Sequence, residues 1–252
     1  MFQKKKIACV IPVRLASTRF PQKALATLSG KPMLQWVWEA VCSCPFFDER
    51  MFAIDSQEVK DLVEGFGGKT IMTSVDCPSG TDRLIEVQAK SDVKSDIWVN
   101  WQGDEPLIST EMIGDLLQSC HVPGQDIWTL KHPLTENFND PSLVKVVTDK
   151  GGKALYFSRS QIPHGDNSNI YKHVGLYAYS DEALKKIRSM EPTALEKAER
   201  LEQLRFLENG LHIQVHQTNH TTVGIDLPEH LAYAEKLLNM KDLRLTPEAA
   251  AG

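Results

Sequence analysis

Residues 7–12, Ile-Ala-Cys-Val-Ile-Pro, form an unbroken apolar run that opens directly onto a loop with three cations, Arg14, Arg19 and Lys23. A strand buried on both faces reads this way, because neither side of its pleat meets water. Such a strand needs helices over both faces of its sheet, which narrows the chain to a layered α/β fold. The pattern downstream agrees. Strand-like runs at 7–13, 51–54, 69–72 and 96–101 are separated by helical periodicity at 32–42, from Asp55 to Gly67-Gly68, at 81–90 and at 109–120. Asp55 with Glu58 predicts a capping box for the second helix, and Ser109 a cap for the fourth. Strands alternating with helices of this length predict right-handed crossovers and a doubly wound, mostly parallel, Rossmann-like sheet.

The second half reads differently. Runs at 144–149, 154–159 and 171–179 are strand-like with no helix between them, which predicts a smaller mixed-sheet lobe at about 130–220. A single long helix is predicted over 192–210, with Thr193 and Glu196 as its capping box, then a strand over 211–217 and a closing helix over 228–239. The expectation is one domain over 1–245 carrying that lobe, followed by a flexible tail at 246–252.

The chain has 252 residues and a net charge of −5, which argues against a nucleic-acid partner. No apolar run approaches the ~20 residues that span a bilayer. The five cysteines (Cys9, Cys42, Cys44, Cys77, Cys120) fall at unrelated spacings. Free thiols in a reducing, cytoplasmic setting are expected. His212, His216 and His220 would align on a helix, but 211–217 alternates like a strand, so a polar strand face is expected there rather than a zinc site.

In a sheet of this kind ligands sit beyond the carboxyl ends of the strands. Three polar sets fall there. The first is the loop after residue 12, where Arg14, Arg19 and Lys23 crowd beside Ser17 and Thr18. Guanidinium forks, an ammonium and hydroxyls suit phosphate oxygens, although a solvated basic loop would look the same. The second is Ser79-Gly-Thr-Asp-Arg83 at a helix start, either an ordinary cap or a place where backbone N–H groups receive a ligand. The third is Asn100-Trp-Gln-Gly-Asp-Glu-Pro106. Here Gly103 permits a sharp turn and Asp104 lies where a triphosphate would need a magnesium ion, unless the segment is a plain turn. Asp226, before Pro228, reads by itself as a helix cap.

Those segments, with Ala154-Leu-Tyr-Phe-Ser-Arg-Ser-Gln-Ile-Pro163, His173-Val-Gly-Leu-Tyr177, Leu201-Glu-Gln-Leu-Arg205 and Ile225-Asp-Leu-Pro-Glu229, occur in an order that resembles the 3-deoxy-manno-octulosonate (Kdo) cytidylyltransferases. The likeness runs from about Lys6 to Leu238. It implies transfer of a cytidylyl group from CTP to Kdo, with magnesium as cofactor and a homodimer as the assembled state. Carried over residue by residue, it places Pro12, Arg14, Ser17, Arg19, Lys23, Ser79, Gly80, Thr81, Arg83 and Asp104 around CTP. Arg83, Gln102, Arg159, His173, Tyr177, Glu202 and Gln203 would surround the sugar acid. Asp104 and Asp226 would hold magnesium, and Lys23, Arg14, Asp104 and Asp226 would carry the chemistry.

Departures from the family pattern are Gln22 where glycine is usual, Ile54-Asp55-Ser56, Trp101 and Leu227. They leave room for a modified acceptor such as 8-amino-Kdo. Another acidic sugar such as sialic acid, or a non-catalytic nucleotide-binding regulator, are the rival readings.

Overall fold

The structure is a computed structural model that describes residues 2–17, 19–165 and 169–245, with side chains through residue 238. Thr18 and the tail at 246–252 lie outside the described residues. Strand β1 (Ile7–Pro12) is buried at all six positions, as its apolar run requires. Ile7, Cys9 and Ile11 pack into one core layer, and Ala8 and Val10 into the other. The first layer is roofed by α1 (Met33–Ser43), α2 (Gln57–Gly65) and α4 (Thr110–Leu117). The second is covered by α3 (Gly80–Lys90), α5 (Asp181–Ile187) and α7 (Gln203–Glu208). Helices thus cover both faces, and β1 is a middle strand of a doubly wound sheet.

Three further strands, β4 (Glu49–Ile54), β5 (Thr70–Met72) and β6 (Ile97–Asn100), extend that parallel core. β4 and β6 flank β1, and β5 lies outside β4. Beyond β6 the direction reverses. The long β10 (Tyr171–Ser180) runs antiparallel to β6 and to β7 (Ile127–Pro133), and β11 (Ile213–Gln217) runs parallel to β7 at the far edge. β8 (Lys145–Thr148) and β9 (Ala154–Ser158) join as an antiparallel pair alongside β10, giving nine strands in one sheet among the described residues. The smaller mixed lobe is therefore an extension of the central sheet. A separate hairpin, β2 (Thr27–Leu28) and β3 (Lys31–Pro32), turns through Ser29 and Gly30, both at positive φ. Its two-residue turn fits that backbone. Among the described residues no helix is long and apolar enough to cross a membrane.

Several elements differ from the sequence expectation. β7, α5 and the β2–β3 hairpin have no counterpart in it. The helix expected over 192–210 is two helices, α6 (Ala194–Glu199) and α7, broken at Arg200 in the left-handed conformation (φ 55°). The apolar spacing Leu195, Ala198, Leu201, Leu204 spans the break in sequence, but only Leu201 and Leu204, beyond it, are buried; Leu195 and Ala198 on α6 are exposed. Arg159 supplies the reason for the break. Its guanidinium donates to the carbonyls of Glu199 and Arg200, replacing the next helical turn. Asp55 does not cap α2; the Ser56 hydroxyl accepts the Val59 N–H instead. The final helix, α8 (Pro228–Leu245), runs six residues beyond the expected end.

Gln22 adopts φ 55°, ψ 30° just before a short 3-10 turn at Lys23–Leu25. The loop takes the backbone that a glycine would favour, and a side chain there crowds the following carbonyl. Gln22→Gly is expected to raise the free energy of unfolding by about 1 kcal/mol, read as a higher urea midpoint at unchanged slope.

Candidate active site

The cleft lies beyond the carboxyl ends of β1, β4 and β6. Its lining includes Pro12, Arg14, Arg19, Lys23, Ser79, Gly80, Arg83, Gln102, Asp104 and Asp226, ten of the residues singled out from sequence. Two glycines of the lining, Gly80 and Gly103, serve close packing. A Cβ at Gly103 would stand 2.7 Å from Val13 Cγ2, and one at Gly80 would crowd Pro12 Cγ at 3.2 Å and Gln102 Nε2 at 3.4 Å. Gly103 is not at positive φ. It serves close approach between the two loops rather than a special turn.

Lys23 stands at the centre. Its Nζ lies 2.5 Å from Asp104 Oδ2 and 3.1 Å from Asp226 Oδ1, and Arg19 reaches the same Asp226 oxygen at 3.1 Å. Asp226 is thus an ion-pairing residue as well as the approach to α8. The Ile225 N–H donates to the Asp104 carbonyl at 2.9 Å, and Thr222 Oγ1 donates to the Glu105 carboxylate at 3.1 Å. Glu105 is pushed up to about 7 by burial first, then by its neighbours Asp104 and Asp226. Sequence pattern alone gives Glu105 no role beyond its place in the motif 100–106.

Arg83 lines the cleft but is 3% exposed and fully engaged. It donates to Asp55 Oδ2 (2.7 Å), Thr73 Oγ1 (2.7 Å) and the Ser74 carbonyl (3.0 Å). Asp55 Oδ1 accepts the Leu15 N–H at 2.9 Å, so the residue read as a helix cap ties the loop after β1 to Arg83, which lines the cleft. Cys77 also lines the cleft, and burial together with its bond to Glu86 pushes its thiol up to about 12.

The residues expected around a sugar form a second, deeper set that joins the first at the start of α3. Glu202 accepts from Ser79 Oγ (2.9 Å) and Thr81 Oγ1 (2.7 Å), and burial raises its pKa. Thr81 Oγ1 also meets Tyr179 Oη at 3.2 Å. Gln203, on α7, is 7% exposed. In β10 an irregularity between Val174 and Tyr177 is filled by the Thr129 hydroxyl, within 3.1 Å of the Val174 and Leu176 carbonyls. His173 Nε2 bonds the same hydroxyl at 2.9 Å, and its ring lies 5.3 Å from that of Tyr177. The Tyr177 hydroxyl is buried and makes no hydrogen bond. Arg159 is not in either set, since its guanidinium donates to the carbonyls of Pro141, Glu199 and Arg200. Ser17 is half-buried and outside the lining. On the far side of the sheet His212 bonds Gln214 and His216 bonds Ser119, as a polar strand face would.

A parallel sheet whose strand ends present cations, paired acids and a free helix start defines a nucleotidyltransferase fold. The cytidylyltransferase family profile matches residues 8–213. The 3-deoxy-manno-octulosonate cytidylyltransferase of Thermodesulfovibrio yellowstonii is 45% identical, covering 92% of this chain and 97% of its own. That of Bacteroides thetaiotaomicron is 43% identical over 92% and 98%. A solved CMP:2-keto-3-deoxy-manno-octonic acid synthetase, complexed with CTP, superposes with a TM-score of 0.89 at 40% identity, covering 94% of this chain and 99% of that one. The 4-diphosphocytidyl-2C-methyl-D-erythritol synthase of Anaerococcus prevotii shares the fold at a TM-score of 0.64 and 15% identity. The chain belongs to the family of the 3-deoxy-manno-octulosonate cytidylyltransferases.

Burial alone lowers the His173 pKa to about 3, so the folded protein keeps a neutral imidazole. An unfolded chain protonates it below about 6.5, so the fold loses stability as pH falls from 6.5 towards 3, by up to ~1.4 kcal/mol per unit. His173→Gln lacks that term. The stability gap between wild type and variant should narrow in urea melts as pH drops from 7 to 5.

Proposed function

We propose that this chain transfers the cytidylyl group of CTP to Kdo, giving CMP-Kdo and pyrophosphate. One observation carries the reading. Arg19, Lys23, Asp104 and Asp226 converge in a single cluster within the cleft that Arg14 and the start of α3 also line. That is the charge pattern a triphosphate needs, in a chain whose relatives bear this activity in their names. The acceptor's anomeric oxygen bonds to the α-phosphorus, the bond from that phosphorus to the bridging oxygen of the β-phosphate breaks, that oxygen leaves with pyrophosphate, and the hydroxyl proton passes to solvent water. Arg14, Arg19 and Lys23 bind the triphosphate and stabilise the charge that grows on the leaving pyrophosphate. The α3 start, with Ser79 and Gly80, receives the nucleotide. Gln102, Gln203, Glu202 and the unpaired Tyr177 hydroxyl offer the hydrogen-bonding groups that a polyhydroxylated acid requires.

Asp104 and Asp226 would hold magnesium. Both carboxylates already face one point of positive charge, the Lys23 ammonium. Among the described residues no set of three or more His, Cys, Asp or Glu gathers as a metal cage. Two hard carboxylates fit an ion that takes its remaining oxygens from water and substrate phosphates. Such an ion supplies Lewis-acid charge to the phosphate oxygens. A homodimer formed through the 130–220 lobe and a cytoplasmic setting complete the reading. The first rests on the family likeness, and the second is supported by the five free thiols.

Pyrophosphate release should be measured with each of the four nucleoside triphosphates against Kdo, 8-amino-Kdo and N-acetylneuraminate. Turnover with CTP and Kdo is expected. Equal or faster turnover with either other acceptor would replace the Kdo assignment, and no turnover at all would favour the regulator. Asp104→Asn should lose about 100-fold or more in rate with its circular dichroism unchanged. Near-normal turnover by that variant would remove Asp104 from the mechanism.

A further inference from the structure

The three cations of the first loop are not held in the same way. Lys23 and Arg19 are anchored by carboxylates, Lys23 by Asp104 and Asp226 and Arg19 by Asp226. Among the described residues no carboxylate pairs with Arg14, whose side chain stands exposed at the rim of the cleft. Its backbone is instead pinned on both sides. The Val13 N–H donates to the Ala53 carbonyl at 2.8 Å, continuing the β1–β4 ladder. The Leu15 N–H donates to Asp55 Oδ1 at 2.9 Å, where the ladder has ended.

The Asp55 side chain is itself fixed. It is 8% exposed, and its other oxygen takes Arg83 at 2.7 Å, a guanidinium that is only 4% exposed. Arg83 is held in turn by Thr73 Oγ1 and the Ser74 carbonyl, and Thr73 donates to the Ile54 carbonyl at 2.9 Å. The chain of contacts thus runs from the rigid α3 and the end of β4 to one backbone N–H beside Arg14. A charged acceptor for a backbone N–H in a water-poor wall is a strong directional constraint.

We propose that Asp55 is a positioning residue for Arg14: it fixes the Leu15 backbone so that the Arg14 guanidinium is already aimed at the nucleotide's phosphates. This arrangement solves a problem the other two cations do not have. A carboxylate partner on Arg14 would compete with phosphate, whereas a pinned backbone leaves all five guanidinium donors available and lowers the ordering cost of binding. The proposal rests on the reading that Arg14 binds the triphosphate.

A double-mutant cycle on CTP affinity tests it, with calorimetric titration of the folded variants and urea melts alongside. Arg14→Ala should weaken CTP binding by at least about tenfold, as expected for a charge-assisted contact. Asp55→Ala should weaken it about tenfold by itself. Added to Arg14→Ala it should cost less than about twofold more, because its effect passes through the missing guanidinium. Asp55→Asn, whose amide oxygen still accepts the Leu15 N–H, should recover most of the lost affinity. If Asp55→Ala does not fold, Leu15→Pro, which removes the donated N–H and leaves Asp55 paired with Arg83, takes its place in the cycle, with coupling to Arg14 again the deciding quantity. Unchanged CTP affinity for Asp55→Ala with a lowered urea midpoint would reduce Asp55 to a stability role and overturn the proposal. Additive losses in the double variant would overturn it as well. If Arg14→Ala alone binds CTP normally, the underlying reading of Arg14 falls, and the proposal with it.

Discussion

The contact on which the cleft depends is the ammonium of Lys23 set between Asp104 and Asp226. Asp104 and Asp226 lie 81 and 203 positions from Lys23, so one point charge joins the loop after β1, the loop after β6 and the entrance to α8. Lys23 is 19% exposed and the acids 26% and 39%, so water screens the pairs only in part. Their net worth lies well below the Coulomb figure for a dry interior, yet removing Lys23 would leave two carboxylates facing each other beside a third, Glu105. Hydrogen bonds of the same segment reinforce the meeting. The Ile225 N–H to the Asp104 carbonyl and Thr222 to Glu105 fix the chain just before Asp226. Ile225, Ala234 and Leu238 then pack with Leu28 and Met33. The small hairpin at 27–32 therefore acts at a distance: it is the seat on which the last helix presents its acid.

How much of this was legible follows from where the information lies. The apolar run of β1 and the polar loops that follow strands are local signals, and the parallel half of the sheet came through them. β7 did not, because Ile127–Pro133 sits between two strand partners and carries Lys131 and His132 at its less buried end, so neither alternation nor a clean apolar run marks it. The break at Arg200 was hidden for a different reason. The sequence keeps helical apolar spacing through Leu195, Ala198, Leu201 and Leu204, yet only the last two are buried, and a distant partner, Arg159, holds the carbonyls where the helix stops. Asp55 is the instructive case. Its local sequence offers a helix cap, and Ser56 one position later makes that bond. What Asp55 does is set by Leu15 and Arg83, 40 and 28 positions away, which no window of local pattern can reach.

The sequence also led to a view of the acceptor pocket that the geometry redraws. The family likeness places Arg83, Arg159 and His173 around the sugar acid. Arg83 is neutralised by Asp55, Arg159 donates to three backbone carbonyls, and His173 is held neutral by burial. The second set of residues thus presents neutral donors and one partly buried acid, Glu202, whose oxygens already take Ser79, Thr81 and the Arg205 guanidinium. The free positive charge of the cleft is concentrated at the other end, in Arg14. A cleft polarised in this way separates its two tasks. On the proposed reading, charge at the loop after β1 would draw in and orient the triphosphate, while shape and neutral hydrogen bonds around Tyr177 and Gln203 would choose among hydroxylated acceptors. A site built to pair with hydroxyls discriminates strongly against a ligand that lacks them, because its buried polar groups are then left unpaired. On the proposed reading, the buried Tyr177 hydroxyl is the group on which that penalty would fall.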